Sequence, residues 1–226
     1  SDGGQRKYGL ALDIGTTTVV ASLLSLQTGV EVARRGRYNR QGRYGDDIIT
    51  RIVYADEEKQ GREKLKQAVV ATINDLVDAM EKETEVEKEQ IKAIVCAGNT
   101  TMIHLFLGMD PRYIRLELYV PAATAPPPVR AGEVGLNINP AAYIHCIPGI
   151  GSYVGGDIVS GLLATGIMTC DETVLLLDIG TNGELVLGSR EWLLSCACSA
   201  GPAFEGSGTS CGMRATKGGI ESFSLN

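Results

Sequence analysis

Residues Val174 to Gly188 read VLLLDIGTNGELVLG. An apolar run rich in Val and Leu ends at Asp178, the turn residues Gly180, Thr181, Asn182 and Gly183 follow, and a second apolar run resumes at Leu185. Such runs about a short Gly- and Asn-containing turn predict a β-hairpin. The pattern occurs a second time near the start, where Tyr8 to Leu24 reads YGLALDIGTTTVVASLL with Gly15, Thr16, Thr17 and Thr18 in the turn after Asp13. One such hairpin is often plain structure. Two Asp-Ile-Gly-Thr hairpins in one chain, both with hydroxyls in the turn, point to shared chemistry.

Glycine lets the backbone turn tightly enough for successive N–H groups to face one concavity, and Thr and Asn side chains add donors beside them. Such a turn suits phosphate. The carboxylates of Asp13 and Asp178 would repel phosphate directly, but each can hold a hydrated Mg²⁺ that bridges phosphate oxygens. Facing one another across a cleft, the two hairpins would clamp a polyphosphate from both sides. The duplicated hairpin resembles the phosphate motifs of the acetate and sugar kinase, heat-shock chaperone and actin superfamily of ATPases.

The 226 residues suffice for one large domain or two smaller ones, and 44% hydrophobic against 21% charged residues indicates a soluble globular protein. A net charge of -6 argues against nucleic acid or an anionic membrane as the main partner. The six cysteines, Cys96, Cys146, Cys170, Cys196, Cys198 and Cys211, show no Cys-x-x-Cys pair and no ferredoxin spacing, which fits a reduced, cytoplasmic compartment. No apolar run approaches the roughly 18 to 20 residues of a membrane span. The chain opens SDGG, and is expected to be a piece of something longer.

Strands are expected at 7–12, 19–26 and 31–38, forming an antiparallel start. Asp46-Asp47 offers a helix N-cap before Ile48, Ile49, Ile52 and Val53. From about Arg62 to Lys82, Leu65, Val69, Ile73, Leu76, Val77 and Met80 trace one face of an amphipathic helix, and the charge run 81–89 reads as its solvated end. A buried strand at 91–97 leads into Gly98-Asn99-Thr100-Thr101 and a short apolar helix over 102–107. The Pro-rich segment 121–130 reads as an extended surface connection. A strand near 143–147 and a helix from Gly155-Gly156-Asp157 to about Gly166 follow. The second hairpin, 174–178 and 184–188, restarts the pattern, with a third strand at 192–196. The fold class expected is α/β, actin-like or ribonuclease H-like, with a first lobe over 1–171 and the beginning of a second over 172–226. Completing that second lobe would need about 100 more residues.

The chain also carries the phrases Gly98-Asn-Thr-Thr-Met102, His104-Leu-Phe-Leu-Gly-Met-Asp-Pro111, Val154-Gly-Gly-Asp157, Asp178-Ile-Gly-Thr-Asn-Gly-Glu184, Ser199-Ala-Gly-Pro-Ala-Phe-Glu-Gly206 and Gly212-Met-Arg-Ala215. In these, taken in order, it resembles, within the superfamily, the ATP-dependent reductive activators of corrinoid proteins, which return Co(II) corrinoid to Co(I). The resemblance implies ATP and Mg²⁺ as cofactors and a corrinoid protein or corrinoid-dependent methyltransferase as partner, with homodimerisation left open. Such activators carry a 2Fe-2S domain upstream and an adenosine-binding segment downstream. The iron-sulfur cluster is therefore expected outside this segment, and so is the adenine site.

The residues expected in the site are Asp13 and Asp178 for magnesium, Asp157 and Asp178 for catalysis, and Gly15, Thr16, Thr17, Thr18, Asn99, Thr100, Gly180, Thr181, Asn182, Gly183, Gly201 and Gly206 for nucleotide. Each also has a plain reading. Asp13 and Asp178 can accept hydrogen bonds from their own turns, Asp157 can stabilise a helix N-terminus, and Asn99 can cap the helix it precedes. The resemblance to chaperone ATPases places an acidic residue like Asp157 near the attacking water. His104 reads as a satisfied core or surface histidine, and His145 beside Cys146 is too isolated for a zinc site. Cys196 and Cys198 share one strand face and read as packing residues. Three other functions compete: a small-molecule kinase of the acetate or sugar type, an activator of 2-hydroxyacyl-CoA dehydratase holding a cluster between two subunits, and a docking module without hydrolysis.

Overall fold

The computed structural model describes residues 6–199. The chain divides into two units, Ser1–Thr165 and Gly166–Asn226. In the first, strands β1 (Tyr8–Ile14), β2 (Thr18–Ser25) and β3 (Glu31–Tyr38) form the antiparallel start expected from their turn residues. A 3-10 turn over Arg40–Tyr44 then leads to helix α1 (Ile48–Glu57). The Asp47 carboxylate accepts from Thr50 N at 2.7 Å while the Thr50 hydroxyl accepts from Asp47 N at 3.3 Å, a reciprocal cap that places the helix start where the sequence predicts it.

Helix α2 (Gly61–Thr84) runs 24 residues, and its expected stripe, Leu65, Val69, Ile73, Leu76, Val77 and Met80, is wholly buried. Burying each such side chain contributes roughly 1.5–3 kcal/mol, so tertiary packing holds this helix although its N-cap, Gln60, provides no side-chain hydrogen bond. The charge run beyond it is less solvated than expected. Val86 is buried and Lys88 Nζ pairs with Asp78 at 2.6 Å and Glu81 at 3.3 Å, folding the chain back toward β4 (Ile91–Ala97).

After β4 come α3 (Thr100–Leu107), α4 (Arg112–Arg115), the short strand β5 (Val129–Arg130), α5 (Ala131–Val134), β6 (Tyr143–Cys146) and α6 (Gly156–Thr165). The sheet order is β3-β2-β1-β4-β6-β5, with β1, β4 and β6 parallel to one another. The Pro-rich stretch ends at β5, which lies at the sheet edge antiparallel to β6, and its prolines all precede the strand. The core lies where Leu10, Leu12, Ile14, Val19, Leu23, Ile94 and Ile144 of the sheet meet the buried residues of α2 and α3.

In the second unit a 3-10 turn over Ile167–Thr169 precedes an antiparallel three-stranded sheet of β7 (Val174–Ile179), β8 (Asn182–Gly188) and β9 (Leu193–Ser199) in that order. Among the described residues no helix is long and apolar enough to cross a membrane.

Candidate functional site

The first hairpin turn is built on a buried polar layer. Ile14 pairs with Val19, leaving Gly15 to Thr18 as the loop, closed by Gly15 N donating to Thr18 O at 3.1 Å. A Cβ on Gly15 would stand 2.5 Å from Thr18 O, so the closure demands glycine. Beneath the loop, three consecutive carbonyls are anchored. Gly15 O accepts from Asn39 Nδ2 at 3.0 Å, Thr16 O from Arg51 Nη2 at 2.7 Å and Thr17 O from Asn39 N at 2.8 Å. Gln41 joins the anchors, its Oε1 accepting from Asn39 Nδ2 at 3.1 Å and Arg51 Nη1 at 3.2 Å, and its Nε2 donating to Leu65 O at 3.0 Å. Asn39, Gln41 and Arg51 are all buried.

In a trans peptide the C=O and the following N–H point in opposite directions, and no peptide bond among the described residues is cis. Each anchored carbonyl therefore turns the N–H of residue 16, 17 or 18 away from its anchor. Asp13 is exposed at the end of β1, and Thr16 is buried beside the half-buried Thr17 and Thr18. Asn39, Gln41 and Arg51 are not among the residues expected in the site from the sequence. A basic residue on the inward face of α1, beside Ile48 and Ile52, was the one available signal.

The β4–α3 junction lies against this turn. Asn99 does what its plain reading predicts, its Oδ1 accepting from Met102 N at 3.0 Å to cap α3, while its Nδ2 donates to Thr16 Oγ1 at 3.3 Å. The Thr100 hydroxyl donates to Gly151 O at 2.6 Å, and both Thr100 and Thr101 are buried. Glycines let three segments close up. A Cβ on Gly98 would lie 2.8 Å from Ile14 O, and one on Gly155 would lie 2.4 Å from the Asn99 Cα. Gly98 O then accepts from Gly156 N at 3.0 Å and Asp157 N at 3.4 Å, tying the start of α6 to the end of β4. Asp157 is half-buried, with Oδ1 accepting from Ile158 N at 2.9 Å. Asp157, Asn99, Thr100 and the first turn thus converge within one unit.

The second hairpin repeats the motif with a different loop. Ile179 pairs with Gly183 and Asp178 with Glu184, so the loop is Gly180 to Asn182, one residue shorter than its counterpart. Gly180 N donates to Asn182 O at 2.9 Å. Asn182 and Gly183, expected in the turn, belong to β8. Asp178 is exposed, Thr181 and Glu184 are buried, and Asn182 and Gly183 are half-buried. Gly201 and Gly206, with the surrounding glycine cluster and Cys211, lie outside the described residues.

His104 is the satisfied core histidine. It is fully buried, and Ala123 N donates to Nε2 at 3.4 Å, so Nδ1 carries the proton toward Thr100 O at 2.7 Å. Burial lowers its pKa below the usual 6.5, against the smaller raising effects of Thr100 O and Asp110. Burial also lowers Arg51, to about 10, offset by the charges of Asp46 and Asp47. Cys96 and Cys146 face one another across β4 and β6. Burial raises the Cys96 thiol, and the hydrogen bond between the two holds Cys146 lower. Cys196 and Cys198 correct the packing expectation, since both are exposed on β9. Among the described residues no three His, Cys, Asp or Glu side chains gather as a metal site.

Residues 8–169 match the family described as the RACo middle region, and residues 172–226 match the C-terminal domain of RACo, the ASKHA domain. The corrinoid activation enzyme RamQ of Eubacterium limosum is 33% identical over 214 residues, covering 95% of this chain and 36% of that protein. The reductase for the Co(II) methylated amine-specific corrinoid protein of Methanosarcina barkeri is 24% identical over 225 residues, covering 94% of this chain and 40% of that protein. A solved reductive activator for corrinoid, iron-sulfur protein superposes with a TM-score of 0.92 at 56% identity, over 96% of this chain and 34% of that one. The chain spans well under half the length of these relatives. The fold is that of the actin-like ATPases.

Proposed function

This chain belongs to the RACo family, and we propose that it is the nucleotide-handling segment of an ATP-dependent reductive activator that returns a Co(II) corrinoid protein to Co(I). The observation that carries the nucleotide reading is the anchoring of the Gly15, Thr16 and Thr17 carbonyls, which turns the following N–H groups the other way. The residues fit a magnesium polyphosphate. The glycine at position 15 keeps the turn tight, Thr16 and Thr18 add hydroxyls, and the exposed carboxylate of Asp13 suits a hydrated cation without touching phosphate.

In this reading residues 1–171 form the first lobe and 172–226 open the second. In the first, Gly15 to Thr18 bind phosphate, Asn99 and Thr100 line the site, Asp13 orients magnesium-bound water and Asp157 orients the attacking water. In the second, Gly180 to Gly183 bind phosphate and Asp178 serves magnesium and catalysis, and Gly201 and Gly206 are assigned to nucleotide on the sequence resemblance alone. ATP supplies the free energy of phosphoanhydride hydrolysis, used to change the surroundings of cobalt as an electron arrives. Each well-placed donor contributes about 3 to 4 kcal/mol to stabilising the developing phosphate charge. The electron comes from a 2Fe-2S cluster held outside residues 1–226, and the protein works in the cytoplasm.

The test uses a polypeptide carrying this segment at the full length of its relatives. With ATP and a low-potential reductant, the Co(I) absorption band of a corrinoid partner grows, and Asp178→Asn abolishes that growth while keeping the iron-sulfur spectrum. Undiminished ATP-dependent reduction by Asp178→Asn would remove Asp178 from the mechanism. No ATP-dependent Co(I) formation by the unaltered protein would remove the function.

A further inference from the structure

Arg51 is among the largest fully buried side chains in the described chain, 1% exposed, and it supplies the anchor of the Thr16 carbonyl. A buried guanidinium is expensive to desolvate unless its donors are satisfied. Here Nε donates to Gly45 O at 2.8 Å, Nη1 to Gln41 Oε1 at 3.2 Å and to Met102 Sδ at 3.3 Å, and Nη2 to Thr16 O at 2.7 Å. The fork therefore joins the entry to α1, the layer under the sheet and α3 to a single carbonyl of the first hairpin turn. An apolar side chain of similar volume would avoid burying a charge but would leave Gly45 O, Gln41 Oε1 and Thr16 O without this donor. What an apolar residue cannot do is set the plane of the Thr16–Thr17 peptide.

We propose that Arg51 is a positioning residue for the first hairpin. It holds the Thr16–Thr17 peptide, as Asn39 holds the peptides on either side, so that the turn is preset for the phosphate of a nucleotide. The inference rests on the reading of this hairpin as a phosphate turn. Arg51 touches no phosphate itself; Thr16 stands between. Its fixed planar fork, with donors on three nitrogens aimed at separate acceptors, is the feature that matters. Lysine, with one nitrogen, keeps the charge but cannot span Gly45 O, Gln41 Oε1 and Thr16 O together. A positioning role and a purely electrostatic one therefore part company at Arg51→Lys.

The ¹⁵N-labelled chain is titrated with inorganic tripolyphosphate and Mg²⁺ while the amide signals of Thr16, Thr17 and Thr18 are followed. The unaltered chain is expected to show saturable shifts at these amides. Arg51→Lys and Arg51→Met both weaken the apparent affinity, by about tenfold or more, while the signals of Ile94 and Phe106 in the core keep their places. If the unaltered chain shows no saturable shift there, the phosphate reading fails and takes this inference with it. If the unaltered chain binds and Arg51→Lys binds equally well, positioning by the fork is overturned and the phosphate reading stands. Should both Arg51 variants fail to fold, Asn39→Asp decides: it keeps the acceptor toward Gln41 N and removes the donor to Gly15 O. Weakened binding by Asn39→Asp supports anchoring of the turn from below, and unchanged affinity overturns it.

Discussion

Asn99 Nδ2 donates to Thr16 Oγ1 at 3.3 Å, joining the β4–α3 junction to the first hairpin turn across 83 positions of sequence. The same side chain caps α3 through Met102 N. Asn99→Ala removes both bonds and is expected to lower stability by about 1–2 kcal/mol, measured by urea unfolding. Asn99→Asp keeps the cap, loses the donor and brings a carboxylate toward the turn. Its stability should stay near that of the unaltered chain while calorimetric titration shows weakened magnesium-tripolyphosphate binding. Equal binding by Asn99→Asp would mean that Asn99 only caps a helix.

The glycine crossing at the start of α6 makes a paired prediction. A Cβ at Gly155 would meet the Asn99 Cα at 2.4 Å and Gly98 O at 2.6 Å, both backbone atoms that cannot step aside cheaply. Gly155→Ala should destabilise by roughly 1–3 kcal/mol. At Gly151 an added Cβ meets nothing within 4 Å, so Gly151→Ala should stay within about 0.5 kcal/mol of the unaltered chain. Thermal unfolding of the two variants side by side checks the contrast.

His104 predicts a pH dependence. Its folded pKa lies below the ordinary 6.5, so between the two values the unfolded chain binds more protons than the folded one. The stability of the neutral, buried ring is fully present above 6.5 and is lost as pH falls toward the folded pKa. One proton sets a limiting slope of about 1.4 kcal/mol per pH unit. Urea midpoints at pH 7.5 and 5.5 should separate, and His104→Gln should narrow the separation. An equal separation in His104→Gln would assign the effect to other groups.

Cysteine chemistry should sort by place. Cys146 is half-buried with its thiol held low by Cys96, whereas burial raises Cys96 and shuts it from reagent. Iodoacetamide is expected to label Cys146, Cys196 and Cys198 in the folded chain and to reach Cys96 only after unfolding. Peptide mass spectrometry gives the order. Early labelling of Cys96 would show that the ends of β4 and β6 open readily.

Strand and helix positions were legible because their signals are local. Apolar runs about Asp-Ile-Gly-Thr specify β1–β2 and β7–β8, Asp47 and Thr50 specify the start of α1, and the stripe from Leu65 to Met80 specifies α2. These depend on neighbours within a turn or a pleat, where steric and hydrogen-bonding rules act over a few residues. The quoted phrases, read together, also identified the family to which the chain belongs.

Tertiary structure decided what supports the first turn. The bonds that anchor Gly15, Thr16 and Thr17 come from Asn39 and Arg51, 22 to 35 positions away, and no periodicity links those residues to the turn. Two hairpins with the same four-residue motif also close differently, because pairing register, set by the whole strand, leaves Gly15 to Thr18 looped in one and Gly180 to Asn182 in the other. Likewise Arg51 reads as one more charged residue on a short helix until folding buries it. Desolvation then requires every donor to find an acceptor, and one of those acceptors is the carbonyl of Thr16.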